Sequence, residues 1–288
     1  MDLSIVIPTL GDKILERTLM SIRESRFQPT EVLLCVPERE ASKLLRFSDS
    51  LVKVVTTKNS GQVSQRAEGL KLASGNIVAQ MDDDIILDVD TLGSAVRYLT
   101  NLGPGNVLGP VFKDLETEDL SQADVKILKG IRRWYLINIG RLPKTSSIFG
   151  AFSSLTCTTG INLKNLNRSL IPVMWLPGGF VLSFKQDLIT SNFYPFFGKA
   201  YYEDLIHSQL RLRRAIRHYV ACDIIVKTAI ATNNNRNSKS IDELTLEILN
   251  FSVHRWRVAR RLGAGRVRLS IYLFSEIVIA LKNILFEK

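Results

Sequence analysis

The sequence predicts an α/β protein, a mostly parallel sheet flanked by helices, with a helical C-terminal tail. Three observations carry this. Short apolar runs closed by Pro, Gly or Asp alternate with segments whose apolar residues recur at helical spacing. One run, Ile77 to Met81, leads directly into three consecutive aspartates, Asp82, Asp83 and Asp84. Residues 233–288 leave the alternation and read as basic and helical. Strands that alternate with helices build a parallel sheet covered on both faces, with right-handed crossovers.

The elements follow in order. Leu3 to Ile7 is an apolar run closed by Pro8, which marks a buried strand. Asp12 is a candidate cap for a helix carrying Ile14, Leu15, Thr18, Leu19 and Ile22. Glu31 to Val36 is the second strand, stopped by Pro37, and a short helix over Ala41 to Phe47 leads to a third strand, Leu51 to Val55. Ser60-Gly61 opens a helix with Val63, Ala67 and Leu70 on one face, ended by Gly75. The aspartate strand comes next, then a helix over Val89 to Leu102 and a strand over Val107 to Phe112.

Lys113 to Ile148 begins acidic and turns basic and aromatic, as a helix followed by a loop. It is an acceptor-side lid, a membrane-facing patch, or an amphipathic helix covering the sheet. Trp175 to Phe180 (WLPGGF) places two glycines before a strand, where backbone must approach something closely. Leu205 to Arg214 is a helix, Arg217 to Ile225 contains a strand, and Asn233 to Lys239 is a polar loop. The tail carries HRWRVARRLGAGRVR, then LSIYLFSEIVIALKNILF. Basic residues followed by an apolar helix fit an interfacial membrane element, or a helix that docks on the domain before it.

Composition narrows the partners. Lys and Arg number 38 against 28 Asp and Glu, for a net charge of +10. That excess attracts anions, whether nucleotides, nucleic acid or an acidic membrane surface. Cys35, Cys157 and Cys222 lack metal-site spacing and read as buried thiols of a reducing compartment. MDLSIVIPTL lacks the n-region and h-region of a secretory signal, and no apolar run approaches the about 20 residues of a membrane span. The expected location is cytoplasmic, with peripheral contact at the inner face of the cell membrane through the tail.

The aspartate triplet is the centre of the chemistry. A buried strand would deliver these carboxylates to the edge where α/β clefts open. Three adjacent acids repel one another, and a divalent cation offsets that repulsion. Oxygen ligands suit Mg²⁺ or Mn²⁺, shared with substrate phosphates. A solvated acidic turn is the other reading of the triplet alone.

SIVIPTL, GQVSQRAEGLKLASGNIVAQMDDDI, WLPGGFVLSF and YYEDLIHSQLRLR, in this order over roughly residues 1 to 225, together resemble family 2 glycosyltransferases. The resemblance implies the GT-A fold, a Rossmann-like nucleotide-diphospho-sugar transferase sheet. It divides the chain into a catalytic domain at 1–232, with a nucleotide-binding half near 1–112 and an acceptor half near 113–232, and a basic tail at 233–288. It also implies transfer of one sugar with inversion, onto a glycan or lipid-linked acceptor in cell-surface polysaccharide synthesis. Pro8 and Thr9 match the family's base-contacting strand end, and Arg66 matches an arginine that often faces the nucleotide. Asp82, Asp83 and Asp84 match the D-x-D motif, with Asp82 near ribose and metal, Asp83 in the middle, and Asp84 on the metal. Trp175, Gly178, Gly179 and Glu203 fall at the sugar and acceptor cleft, and Asp204 matches the catalytic base. The cofactor is Mn²⁺ or Mg²⁺, and the donor is a UDP-sugar first, with dTDP- and GDP-sugars as alternatives.

General chemistry agrees, because the attacking hydroxyl must lose a proton to a carboxylate while the leaving diphosphate gains charge. An acid at a helix start is also favoured for its own sake, which is the plainer account of Glu203-Asp204. The sequence departs from the family after the second strand. Cys35-Val36-Pro37-Glu38 replaces the usual acid-rich turn, leaving Glu38 as the substitute and weakening the case for uracil. His207, four residues after Glu203, is a metal or phosphate ligand or a packed histidine. Two other classes compete: a nucleotidyltransferase, whose glycine- and lysine-rich loop is poorly matched by Pro8 to Lys13, and a basic nucleic-acid-binding protein. No recognised nucleic-acid module is present, so no specific nucleic-acid partner is expected.

Overall fold

A computed structural model describes residues 1–116, 130–143, 150–159, 169–195, 200–228 and 241–286. The polar stretch 233–239 and much of 113–148 lie outside these.

The sheet runs β3-β2-β1-β4-β8-β6-β9-β5, with β7 added to β9. Its first part is built as expected. β1 (Leu3–Pro8) pairs in parallel with β2 (Glu31–Pro37) and β4 (Ile77–Met81), and β2 with β3 (Val52–Thr57). Successive side chains of β1 serve opposite faces. Leu3, Ile5 and Ile7 pack with Leu15, Leu19 and Ile22 of α1 (Leu15–Arg23) and Leu92, Ala95 and Leu99 of α4 (Thr91–Leu102). Val6 packs with Leu70 of α3 (Gln62–Leu72) on the other face. Gly69 makes that close packing possible, since a Cβ there would lie 2.3 Å from Cys35 Sγ. Cys35 and Cys157 are buried, and Cys222 is partly so.

Beyond β4 the sheet becomes mixed. β8 (Phe180–Phe184) inserts antiparallel between β4 and β6 (Asn106–Asp114). β9 (Arg217–Thr228) runs parallel to β6 and antiparallel to both β5 (Ile85–Leu87) and β7 (Leu170–Val173). The chain therefore leaves central β4 at Met81 and rejoins the sheet at its edge in β5, with the three aspartates in the crossing. Asp12 does not cap α1 as the sequence suggests: the N-cap is Ile14, with no side-chain cap bond, and Asp12 contributes only its backbone carbonyl, which accepts from Leu15 N at 3.1 Å in the turn before the helix. The expected helix over Ala41 to Phe47 is one turn, α2 (Ala41–Leu44), between 3₁₀ turns.

α5 (Gly130–Asn138) packs against the tail, with Tyr135 stacked on Tyr272 at 6.1 Å between centroids. α6 (Glu203–Arg213) follows the glycine strand. The tail forms α7 (Ile241–Arg261) and α8 (Arg266–Phe286), which contact each other. Val258 and Leu262 share a core with Phe193, Leu205 and Ile206. Ala259, Leu269, Tyr272 and Leu273 share another with Leu142, Leu155 and Cys157. One face of the tail is thus docked on the preceding domain, and among the described residues no helix is long and apolar enough to cross a membrane.

Candidate active site

The register of β4 sets the site. Val6 aligns with Gln80, so Pro8 and Thr9 flank the aspartates on one side. Met81 aligns with Phe180, so Gly178 and Gly179 flank them on the other. Asp82 N donates to Gly179 O at 2.8 Å, and Gln80 Nε2 to Gly178 O at 3.0 Å. Thr9 Oγ1 donates to Asp83 Oδ2, and Thr18 Oγ1 donates to Asp83 O at 2.8 Å. Ile85 aligns with Thr228, which brings the Thr228 hydroxyl to donate to Asp84 Oδ2 at 3.1 Å.

Arg66 ties this strand end to α6. It is fully buried, and its Nη2 lies 2.9 Å from Asp82 Oδ1 while its Nη1 lies 2.8 Å from Glu203 Oε1. Burial alone would lower the charge preference of this guanidinium, but the two carboxylates outweigh it and raise its pKa. Gln62 Nε2 donates to the same Asp82 oxygen at 2.8 Å. Asp82 Oδ1 is thus satisfied by Arg66 and Gln62. Gly178 is the close approach expected of the glycine pair: a Cβ there would lie 2.6 Å from Glu203 Oε1.

Asp204, next to Glu203 in the first turn of α6, is only partly buried. Its Oδ1 accepts from Leu205 N at 2.9 Å. Burial first, and then the Glu203 carboxylate beside it, push its pKa up to about 7. Burial also raises Asp83 and Asp84, with Asp82 adding to each, and Asp84 reaches about 6. A cluster that disfavours its own ionisation in this way is suited to a cation. The donors are carboxylate oxygens, which fit Mg²⁺ or Mn²⁺. Among the described residues, however, no three His, Cys, Asp or Glu side chains form a ready cage. A metal held by Asp82 and Asp84 would need further oxygens from water or a bound diphosphate.

The remaining candidates fall as follows. Trp175 is partly buried and donates Nε1 to Thr159 O at 3.3 Å. Glu38 is exposed in the 3₁₀ turn after β2 and makes no hydrogen bond to the aspartates among the described residues. His207 is a packed histidine, 2% exposed and 4.8 Å from the Phe193 ring, and burial lowers its pKa well below the usual value. Sequence reasoning missed Gln62, Thr18, Thr228, Gln80 and Arg211, whose Nη2 reaches Gln80 Oε1 at 3.4 Å. Gln62 had a local signal, standing one helical turn before Arg66.

Comparison with known proteins agrees with this architecture. The model of the family described as Glycosyl transferase family 2 matches residues 4–156. No curated protein matches the chain. Among solved structures, GalNAc-T7 with UDP, GalNAc and Mn²⁺ is similar at a TM-score of 0.58 and 14% identity, over 79% of this chain and 43% of that one. The mannosyltransferase PcManGT from Pyrobaculum calidifontis, in complex with GDP-Man and Mn²⁺, gives 0.53 and 16%, over 97% and 71%. S. aureus TarS 1-349 gives 0.50 and 15%, over 98% and 90%. At these identities the likeness is one of fold. The chain spans less than half the length of the GalNAc-T7 structure.

Proposed function

From the premise that this chain belongs to glycosyl transferase family 2, we propose that it moves one sugar from a nucleotide-diphosphate sugar to a hydroxyl of a glycan or lipid-linked acceptor, with inversion. The observation that carries the reading is the Arg66 bridge. It joins Asp82, at the strand end where a donor would bind, to Glu203, the neighbour of Asp204. Donor-side and acceptor-side carboxylates therefore belong to one connected cluster.

In the proposed step the acceptor oxygen attacks the anomeric carbon. The bond from that carbon to the diphosphate breaks, and its electron pair leaves with the nucleoside diphosphate. Asp204 takes the hydroxyl proton; a base with a pKa near 7 is matched to neutral pH. One displacement inverts the configuration. Asp82 and Asp84 would hold Mn²⁺ or Mg²⁺, which when bound supplies positive charge to the leaving diphosphate. Thr228 orients Asp84, and Thr9 orients Asp83. Asp82 and Asp83 serve the donor, Gly178 and Gly179 admit the sugar, and Pro8 and Thr9 flank the base. Solved relatives of the same fold carry UDP with Mn²⁺ in one case and GDP-Man with Mn²⁺ in another. This supports a nucleotide-sugar donor, and we place UDP-sugars first. Cell-surface polysaccharide assembly is the matching role.

A thermal-shift panel of UDP, GDP, dTDP and CDP, each with and without Mn²⁺, tests the reading on wild type and Asp84→Ala. A ligand that binds only the folded chain raises its apparent stability. One nucleotide should give a Mn²⁺-dependent rise that Asp84→Ala removes. Equal rises in both proteins would contradict the assignment of Asp84.

A further inference from the structure

Among the described residues, one face of α8 stays exposed when the tail docks. On α8, Leu269, Tyr272 and Leu273 are buried against the domain. On its opposite side Val267, Ile271, Phe274 and Val278 are exposed, at 76%, 57%, 71% and 49%. Their spacing of four, three and four residues makes a single ridge along the helix. Each successive residue of a helix turns by about 100°, so Arg266 and Arg268 stand on either side of Val267. Both are exposed, as are Arg260 and Arg261 at the turn between α7 and α8. Packed beside α8, α5 carries Trp134, which is 60% exposed. Large apolar side chains exposed in a row, rather than scattered, mark a surface that meets something.

We propose that this ridge lies in the headgroup region of an anionic lipid surface. Val267, Ile271, Phe274 and Val278 would enter the acyl boundary while the flanking arginines meet lipid phosphates. An apolar ridge bordered by cations is the arrangement of a helix lying in the membrane plane. The charge argues for lipid over a second copy of this chain. A second copy would bring its own four arginines and its own net charge of +10 to the same ridge. An anionic surface complements both.

The experiment is co-flotation of the full chain with vesicles of phosphatidylcholine, alone or with about one third phosphatidylglycerol. The anionic vesicles should carry the protein and the neutral ones should not. Ile271→Ser with Phe274→Ser should lower the bound fraction about tenfold, because two exposed apolar side chains are lost from the contact. Their melting temperature should stay at the wild-type value, since neither side chain is in the core. Arg266→Gln with Arg268→Gln should also weaken binding, and raised salt should reproduce that loss. Failure to float, equal binding to neutral vesicles, or full binding by the serine variant overturns the proposal. Lipid-free self-association abolished by the serine substitutions would also overturn it and give the ridge to a second copy. Vesicle binding is read without any transfer assay, so it stands or falls apart from the sugar-transfer reading.

Discussion

Arg66 and Glu203 stand 137 positions apart in the chain and 2.8 Å apart in the fold, both buried. The pair fixes α6 against the aspartate strand. Removing one partner of a buried pair costs roughly 3–5 kcal/mol, because the other charge is left uncompensated. Arg66→Met should therefore lower the free energy of urea unfolding by about that amount. Adding Glu203→Gln to Arg66→Met should recover part of the loss, since one stranded charge disappears. Simple addition of the two losses would show that the groups are not coupled.

How much of this could be read from the sequence depends on the range of the interaction. The strand Ile77–Met81 and its aspartates were legible, because an apolar run ending in carboxylates is a local pattern. Thr228 was not, because its place beside Asp84 comes from strand pairing across 144 residues. β7 escapes a sequence reading because Pro172 interrupts its apolar run, yet among the described residues β7 pairs only with β9, and an edge strand tolerates proline. For the tail the sequence allows either docking or membrane contact, and the structure gives its two faces different surroundings. Helical periodicity shows that a face is apolar without showing what covers it.

Asp204 should impose a pH profile. A base with a pKa near 7 works when ionised, so kcat/KM should rise with pH and level off above about 7. Asp204→Asn should lower kcat by about 10²–10⁴-fold while sparing the donor-induced thermal shift. The sign for stability is the reverse. The folded pKa lies above the unfolded one, so between pH ~4 and ~7 the native state holds a proton that the unfolded chain has released. The contribution of Asp204 to wild-type stability falls as pH rises through that window. Asn cannot ionise, so by calorimetry Asp204→Asn should melt above wild type at pH 8 and level with it near pH 4. A gap independent of pH would remove Asp204 as the titrating group.

Asp84 is held at a cost in the absence of metal. Burial and the neighbouring Asp82 and Asp83 disfavour its charge. Asp84→Asn should therefore melt at a higher temperature than wild type in EDTA at pH 8. The order should reverse when Mn²⁺ and the matching nucleotide are added, because only wild type gains from them. An Asn variant that is less stable under both conditions would mean that the Thr228 contact, and not charge repulsion, governs the position.

Gly178 leaves no room for a side chain. A Cβ 2.6 Å from Glu203 Oε1 must displace a carboxylate that Arg66 holds in place. Overpacking of this kind costs typically 1–3 kcal/mol, so Gly178→Ala should lose about that much stability and most of its transfer activity. Combining it with Glu203→Ala, which empties the contested space, should restore the alanine variant's packing and bring the two stability losses below their sum. Wild-type activity in Gly178→Ala alone would show that Glu203 moves freely.

Arg255 links the tail to the candidate base. Its guanidinium lies 5.6 Å from the centre of the Tyr202 ring, and Tyr202 directly precedes Glu203-Asp204. Tyr202 has φ 61, a left-handed conformation that a side-chain-bearing residue keeps only where its surroundings hold it. Arg255 is anchored in turn, with Nε 2.6 Å from Thr156 Oγ1 and Nη1 3.2 Å from Glu276 Oε2 on α8. A cation over an aromatic ring contributes about 0.5–2 kcal/mol, which corresponds to about 2- to 30-fold in rate if it is felt at Asp204. Arg255→Met should therefore lower kcat within that range and leave the donor KM unchanged. Tyr202→Phe keeps the ring and should behave as wild type, whereas Tyr202→Ala should resemble Arg255→Met. A rise in KM with kcat unchanged would place the effect of Arg255 on donor binding and not on the segment that carries Asp204.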